Sequence, residues 1–350
     1  MSSPLLGEIS PTDADFIRSF HHYSPLHSGV NTQQIIYQRA MAPAIQGRKI
    51  AITGASGQVG KPTIDALLKH GVHTITAIQR EGATSTFPAG VIVKKGNLED
   101  EAFLADVLKG QDALVLMPPL PQLVSLQEPA IRAAAKVGVP YIFPSEFGPD
   151  PFAGQLTEEN GLLIAKKSIR DLIESLGASS WVSIAVGPWL DGGLGAGLWG
   201  IDPKARKATI WRGANAKANT ASIAHTGQAV AATLGLPEAD LAKYKNKGVY
   251  TPSFHVTQRE ILDAVQRATG TTDKDWDITT RDVNEVAKEY EEKISQGDGV
   301  APFTKFFVTH FLEGHGGDFQ HKVDAAELAK LEKLGLQRET IEQVIKDALQ

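Results

Sequence analysis

From residue 48 onward, short apolar runs alternate with amphipathic stretches along the chain. Apolar runs of about four to eight residues are typical of buried strands, whereas apolar positions at intervals of three and four are typical of helices. Such runs predict six strands, at residues 49–53, 73–78, 91–94, 113–117, 140–143 and 181–186, and helices between them at 62–70, 101–109 and 130–137. This alternation predicts an α/β fold with a Rossmann-type, doubly wound parallel sheet.

The pattern changes after residue 187. Residues 187–200 carry six glycines among apolar side chains, which predicts a flexible loop that is either a substrate wall or lid, or a buried connector. A short strand at 208–211 and a returning helix at 222–234 follow. Residues 257–350 are predicted to be mostly helical, beginning with a Thr-x-x-Glu capping box and continuing with amphipathic stretches at 283–294 and 328–349.

These changes predict three parts. Residues 1–48, rich in Ser, Pro, His and Gln, form an N-terminal extension. Residues 49–187 form an NAD(P)-binding Rossmann domain, to which a returning segment at about 220–252 belongs. Residues 188–219 and 253–350 form a smaller, mainly helical α/β region for substrate binding.

The first strand leads into a glycine-rich turn at the predicted start of a helix. In a dinucleotide fold, Gly54 would allow a tight turn, Gly57 would let the backbone approach a diphosphate, and Gly60 would let the helix pack on the strand. The N–H groups at the helix start would bind the phosphates. The alternative is a glycine-rich turn that binds no dinucleotide. The predicted cofactor contacts here are Gly54, Ser56, Gly57, Gln58, Val59 and Gly60.

The second strand ends in Gln79-Arg80-Glu81. An arginine at this place accommodates the 2′-phosphate of NADP(H), whereas an acidic residue accepts the 2′-hydroxyl of NAD(H). Arg80 therefore favours NADP(H), and Glu81 leaves NAD(H) open. Pro118, which ends the fourth strand at the same edge of the sheet, is a further predicted cofactor contact.

Two residues are candidates for catalysis. Ser145 follows the fifth strand, and Lys166 shares the apolar face of a predicted helix with Leu162, Ile169 and Ile173. An unpaired ammonium on an apolar face is costly to bury, so Lys166 should reach solvent, pair with a carboxylate or project into a site. Its neighbours Lys167, Arg170, Asp171 and Glu174 are expected to point elsewhere.

The chain resembles the isoflavone reductase-like and NmrA-like branch of the atypical short-chain dehydrogenases. The resemblance rests on Thr-Gly-Ala-Ser-Gly-Gln-Val-Gly-Lys at 53–61, Arg80-Glu81, Phe-Pro-Ser-Glu-Phe-Gly at 143–148 and Lys166, and it weakens after about residue 230. In its reductases a lysine at the place of Lys166 contacts the nicotinamide ribose and takes part in catalysis. The residue matching Arg80 binds the 2′-phosphate, and Lys61 matches a further cofactor contact.

The resemblance implies an NADPH-dependent oxidoreductase that transfers hydride to a small apolar, aromatic or heterocyclic metabolite. Two departures stand out: Leu162 occupies the place of the tyrosine that the wider superfamily uses, and His225 replaces an acid at the returning helix. The family also contains NADP(H)-binding redox sensors without turnover, which is the alternative function. Retention of Lys166 favours an enzyme.

The composition of the chain argues against several classes of binding partner. The net charge of −5 offers nothing to attract nucleic acid or an anionic membrane, and no apolar run is long enough to span a bilayer. The chain has no cysteine, and its N-terminus lacks the pattern of a signal peptide, so we expect a cytoplasmic protein. His310, His315 and His321 lack a metal-binding spacing, and no metal is expected. We expect a monomer or a homodimer.

Overall fold

The computed structural model describes residues 44–350, so the predicted extension at 1–48 lies almost wholly outside the described residues. The strands are β1 Lys49–Thr53, β2 Thr74–Arg80, β3 Val91–Gly96, β4 Ala113–Leu116, β5 Tyr141–Phe143, β6 Phe147–Gly148, β7 Ser180–Ala185, β8 Ile201–Asp202, β9 Lys207–Arg212, β10 Ala218–Thr220, β11 Lys247–Tyr250, β12 Phe254–Val256 and β13 Asp277–Asp282. They form one large sheet and two small ones.

The helices lie between these strands and after them. They are α1 Gly60–His70, α2 Glu101–Leu108, α3 Gln127–Val137, α4 Gln155–Glu159, α5 Gly161–Leu176, α6 Leu190–Gly195, α7 Ile223–Leu234, α8 Glu238–Leu241, α9 Gln258–Thr269, α10 Val283–Ser295, α11 Ala301–Thr309, α12 Ala325–Lys333 and α13 Ile341–Ala348. The predicted capping box is present, since Thr257 accepts from the Glu260 amide and the Glu260 side chain accepts from the Thr257 amide.

The large sheet is parallel, with strand order β3-β2-β1-β4-β5-β7-β11. The short strand β6 pairs with the second half of β7, beyond the end of β5. Buried apolar clusters cover both faces of the sheet. The predicted Rossmann-type fold is therefore confirmed, and all six predicted strands are present.

Two helices on one face of the sheet pack closely because of a glycine. A Cβ atom added at Gly227 in α7 would lie 2.6 Å from the backbone nitrogen of Thr63 in α1. Only a residue without a side chain permits this approach. The returning helix is thereby held against the helix that follows the glycine turn.

A third buried cluster lies among the later elements. It includes Trp199, Trp211 and Phe311, and it draws on α6, α9 and the small sheet β13-β9-β8. No helix among residues 44–350 combines the length and apolar character needed to cross a membrane.

Two local predictions are corrected by the structure. The segment predicted as a glycine-rich loop contains helix α6. Residues 257–350 are mostly helical, as predicted, and also contain the strand β13. The single amphipathic stretch predicted at 328–349 consists of two helices, α12 and α13. The chain turns between them at Gly335, whose φ of +102° suits only glycine.

Candidate active site

The turn after β1 is too tight for any residue but glycine at two positions. Gly54 has a φ of +68°, and an added Cβ atom would lie 1.9 Å from the carbonyl oxygen of Met117 at the end of β4. At Gly60 an added Cβ atom would lie 2.4 Å from the carbonyl oxygen of Gly54. The turn is thus packed between the end of β4, which neighbours β1 in the sheet, and the start of α1.

The same turn presents free amides at the start of α1. The amide of Gly57 donates to the carbonyl oxygen of Gly54 at 2.9 Å, which closes the turn. Within the described residues, the amides of Gln58 and Val59 donate to no protein acceptor. Because the positive end of the helix dipole lies here, these groups suit an anion such as a phosphate.

Two cavities meet at this turn. One, of about 360 Å³, extends toward the end of β2 and is lined there by Gln79 and Arg80. The other, of about 400 Å³, extends toward Ser145 and Lys166. Both cavities are lined by the same four residues at their junction, Gly54, Ser56, Pro118 and Pro119. The pair forms a groove with an arginine toward one end and a lysine toward the other.

Most of the residues predicted as site residues line this groove. The first cavity includes Arg80, and the second includes Gly57, Gln58, Val59, Gly60, Ser145 and Lys166, besides the shared Gly54, Ser56 and Pro118. Lys61 lies exposed on the first turn of α1 and lines neither cavity. The four segments that follow β1, β4, β5 and β7 all contribute to the second cavity.

Lys166 lies on the buried face of α5. The residue is 8% exposed, and its side chain forms no hydrogen bond or ion pair within residues 44–350. Burial lowers the pKa of its ammonium, Glu146 opposes this effect, and Arg170 lowers the pKa further. Lys167, by contrast, lies on the surface and pairs with Asp171 at 2.7 Å.

A buried ion pair fixes α5 against the loop that carries Ser145. Arg170, one turn after Lys166, donates to the carboxylate of Glu146, and both side chains are buried. Arg170 also donates to the Pro151 carbonyl oxygen at 2.9 Å and lies over the Trp181 ring. The expectation that Arg170 points away from the buried face is therefore wrong.

Ser145 is positioned through its backbone. Its amide donates to the side-chain oxygen of Gln127 at 2.8 Å, and Gln127 in turn donates to the Leu123 carbonyl oxygen at 2.7 Å. Gln127 is buried at the start of α3. A polar residue in the first turn of a helix is common, so nothing in the sequence pattern indicates this contact.

Leu162 and His225 are the two positions that depart from the pattern of the family that the sequence resembles. Neither lines the groove. Leu162 is half-buried and lines neither cavity. His225 is buried, with its ring nitrogens 2.8 Å from the Thr251 carbonyl oxygen and 3.1 Å from that of Gln337. His225 thus joins the returning helix to two later segments of the chain.

Comparison with known proteins places the chain in a family. The sequence model of the NmrA-like family matches residues 46–300, which include the sheet and both cavities. The chain belongs to the NmrA-like family. The resemblance inferred from the glycine turn, the 143–148 motif and Lys166 is confirmed.

Relatives of this NmrA-like protein are named as oxidoreductases. It is 26% identical to "Oxidoreductase aprR" of Aspergillus flavus over 291 residues, which cover 81% of this chain and 94% of the relative. It is 28% identical to "Isoflavone reductase homolog IRL" of Zea mays over 245 residues, covering 65% of this chain and 77% of that protein.

A solved structure shares the fold of this NmrA-like protein. The structure described as "AtPrR2 with NADP+ and (+)pinoresinol" superposes with a TM-score of 0.69 at 21% identity, covering 86% of this chain and 99% of that one. At this identity the likeness concerns the fold.

Two polar residues that line the groove of this NmrA-like protein were not predicted from the sequence to be site residues. In the first cavity, the side-chain nitrogen of Gln79 donates to the Ser85 carbonyl oxygen at 3.1 Å, while its buried oxygen has no partner among the described residues. In the second, the indole nitrogen of Trp189 is likewise buried without a partner. Unpartnered buried polar atoms at a cavity are a signal that only three-dimensional structure provides.

Proposed function

We propose that this protein is an NADPH-dependent reductase that acts on a small apolar substrate, aromatic or heterocyclic in character. The observation that carries the proposal is Lys166, which is buried, has no ion-pair partner among residues 44–350 and lies toward one end of a groove whose middle is the glycine turn. The oxidoreductase names of the relatives and the NADP⁺ complex of the superposed structure support it.

The groove fits NADP(H). Gly57 lines the groove, and an added Cβ atom there would approach the Gly54 carbonyl oxygen at 3.1 Å, so the turn itself already limits a side chain at this position. The amides of Gln58 and Val59 would hold the diphosphate, and Arg80 would hold the 2′-phosphate. When bound, NADPH supplies a hydride, which carries two electrons and one proton, so the substrate needs one further proton from the protein or water.

Lys166 would orient the ribose next to the nicotinamide and supply that further proton. A lysine whose pKa is lowered by burial can donate and regain a proton nearer neutral pH than an exposed lysine can. Leu162, at the place of the superfamily tyrosine, carries no proton donor. Lys166 would therefore donate the proton to the substrate, directly or through water.

The remaining walls would shape the substrate site. Ser145 would hydrogen-bond a polar atom of the substrate, and Met117, Leu120 and Phe147 supply apolar surface. We assign residues 49–187 and the returning segment at 220–252 to cofactor binding, and residues 188–219 and 253–350 to substrate binding. Lys61 remains a predicted cofactor contact.

Stopped-flow measurement of NADPH oxidation with a panel of aromatic enones and imines tests the proposal. Lys166→Met keeps the length of the side chain but removes the ammonium, and it should lower the rate of hydride transfer by about 10²–10⁴-fold. Lys167→Met is the matched control, because its ammonium is exposed and paired with Asp171. It should leave the rate within about twofold.

Two outcomes would contradict the proposed reductase activity or the role of Lys166 in it. Equal rates in the two variants would remove the catalytic role of Lys166. Tight NADPH binding with no oxidation by any member of the panel would favour the redox sensor instead.

A further inference from the structure

Three buried side chains near the second cavity carry charge. Lys166 and Arg170 lie one turn apart on the buried face of α5, and Glu146 follows Ser145 in the loop after β5. Over residues 44–350, Lys166 is the only ionisable side chain that lines this cavity. Two buried cations therefore lie near one buried carboxylate, and Arg170 is the one that has formed an ion pair with it.

Arg170 is held to this carboxylate by a set of contacts around its guanidinium. The guanidinium donates to Glu146 and, at 2.9 Å, to the Pro151 carbonyl oxygen, and it lies 5.5 Å from the centre of the Trp181 ring. A planar guanidinium suits such a fixed arrangement better than an ammonium does. Because arginine stays protonated in proteins, the ion pair of Glu146 does not depend on a titrating partner.

Lys166 lacks comparable contacts. Its ammonium forms no ion pair within residues 44–350, although Glu146 is near enough to raise its pKa and Arg170 near enough to lower it. A buried ammonium and a nearby buried carboxylate would stabilise each other as a pair, because each is costly to bury alone. The contact between Glu146 and Arg170 accounts for the absence of that pair.

We propose that Arg170 is a positioning residue for Lys166: by occupying the Glu146 carboxylate, it keeps that carboxylate from pairing with the Lys166 ammonium, which stays free at the cavity. An ammonium held by a carboxylate gives up its proton less readily, so its release favours the proton donation assigned to Lys166. Arg170 itself lines neither cavity of the groove. The inference rests on the proposed function and deepens it, since it concerns how the proton donor of that site is kept available.

Trace acetylation of the protein with acetic anhydride, from about pH 6 to about pH 11, tests this inference. The reaction rate follows the neutral amine and gives the pH midpoint of each lysine, and fragmentation mass spectrometry separates Lys166 from Lys167. Arg170→Met frees the carboxylate and should raise the Lys166 midpoint by at least about one pH unit. Glu146→Gln leaves the arginine charge uncompensated and should lower the midpoint by a similar amount. In the double variant the two effects offset each other, and the midpoint should return close to that of the parent.

Asp171→Asn is the matched control. Asp171 is the ion-pair partner of Lys167 on the exposed face of α5, four residues further along the helix, as Arg170 is from Lys166. Its replacement should leave the Lys166 midpoint unchanged. Circular dichroism reports whether each variant is folded. Unfolding would raise the midpoint, so a lower midpoint in Glu146→Gln cannot result from it, and this variant decides the test where Arg170→Met does not fold.

Three results would overturn the inference: unchanged Lys166 midpoints in folded single variants, midpoints that rise in both, or a parent protein whose Lys166 is acetylated at no pH, since its ammonium would then not be free at the cavity. A loss of stability in Arg170→Met without a change of midpoint would show that the ion pair is structural only. Because acetylation requires no turnover, a panel that oxidises no NADPH would contradict the proposed function and leave this result unaffected.

Discussion

His310 should make the protein lose stability in mild acid. It is fully buried after α11, and both of its ring nitrogens lack a hydrogen-bond partner among the described residues. The Phe306 ring lies beside it, with the ring centroids 4.9 Å apart. Burial lowers the pKa of His310 from 6.5 to about 3. The folded protein therefore keeps this imidazole neutral at pH values where the unfolded chain is protonated.

The size of the effect follows from these two pKa values. Above pH 6.5 both states hold a neutral His310, and its full contribution to stability is present. As the pH falls from 6.5 toward 3, only the unfolded state takes up the proton, so the free energy of unfolding decreases. At pH 5 the loss from this one residue is about 2 kcal/mol.

Urea unfolding followed by tryptophan fluorescence at pH 7.5 and pH 5.0 measures this loss. His310→Leu should be at least as stable as the parent at pH 7.5, since it removes two unpartnered polar atoms, and it should lose about 2 kcal/mol less on acidification. His321→Leu, at an exposed position, is the control and should follow the parent. An equal loss in the parent and in His310→Leu would refute the reasoning.

Three further predictions concern the groove and the buried Glu146–Arg170 ion pair. NADPH should bind at least about tenfold more tightly than NADH, and Arg80→Ala should remove most of this preference in fluorescence titrations; equal affinities in the parent would contradict the assignment. Gly57→Val should fold, by circular dichroism, yet bind no NADPH, and normal affinity would show that the glycine turn is only a turn. Glu146→Leu should lose about 3–5 kcal/mol of stability in urea unfolding, because it leaves the buried Arg170 unpaired, and the double variant with Arg170→Met should be more stable than Glu146→Leu alone.

The fold was largely predictable because its signals are local. Strands β1, β2, β4, β5 and β7 are short apolar runs, and each ends near a glycine, proline or polar residue that interrupts the pattern. Helix α6 was missed because three of its six residues are glycine, which disfavours a helix in isolation. It forms where buried Leu190 and Leu194 pack into the third apolar cluster, a contribution that local propensity does not contain.

The site was predictable only in part. Periodicity identified Lys166 as unusual, because an ammonium on an apolar face needs an explanation. It could not reveal that Arg170 is buried as well, since its partner Glu146 lies 24 residues earlier in the chain. The same holds for Gln127, which fixes the Ser145 amide, and for Trp189, whose indole nitrogen is buried without a partner among the described residues.

The wall shared by the two cavities has a thermodynamic consequence. Pro118 and Pro119 form this wall, and their rings fix the φ angle of each residue and leave no backbone N–H to donate. A diphosphate bound at the junction, as proposed, would therefore find no backbone donor on these two residues and would depend on the amides of the glycine turn. Because the φ angle of both prolines is fixed before a ligand binds, ligand binding should cost the protein little backbone conformational entropy at these two positions.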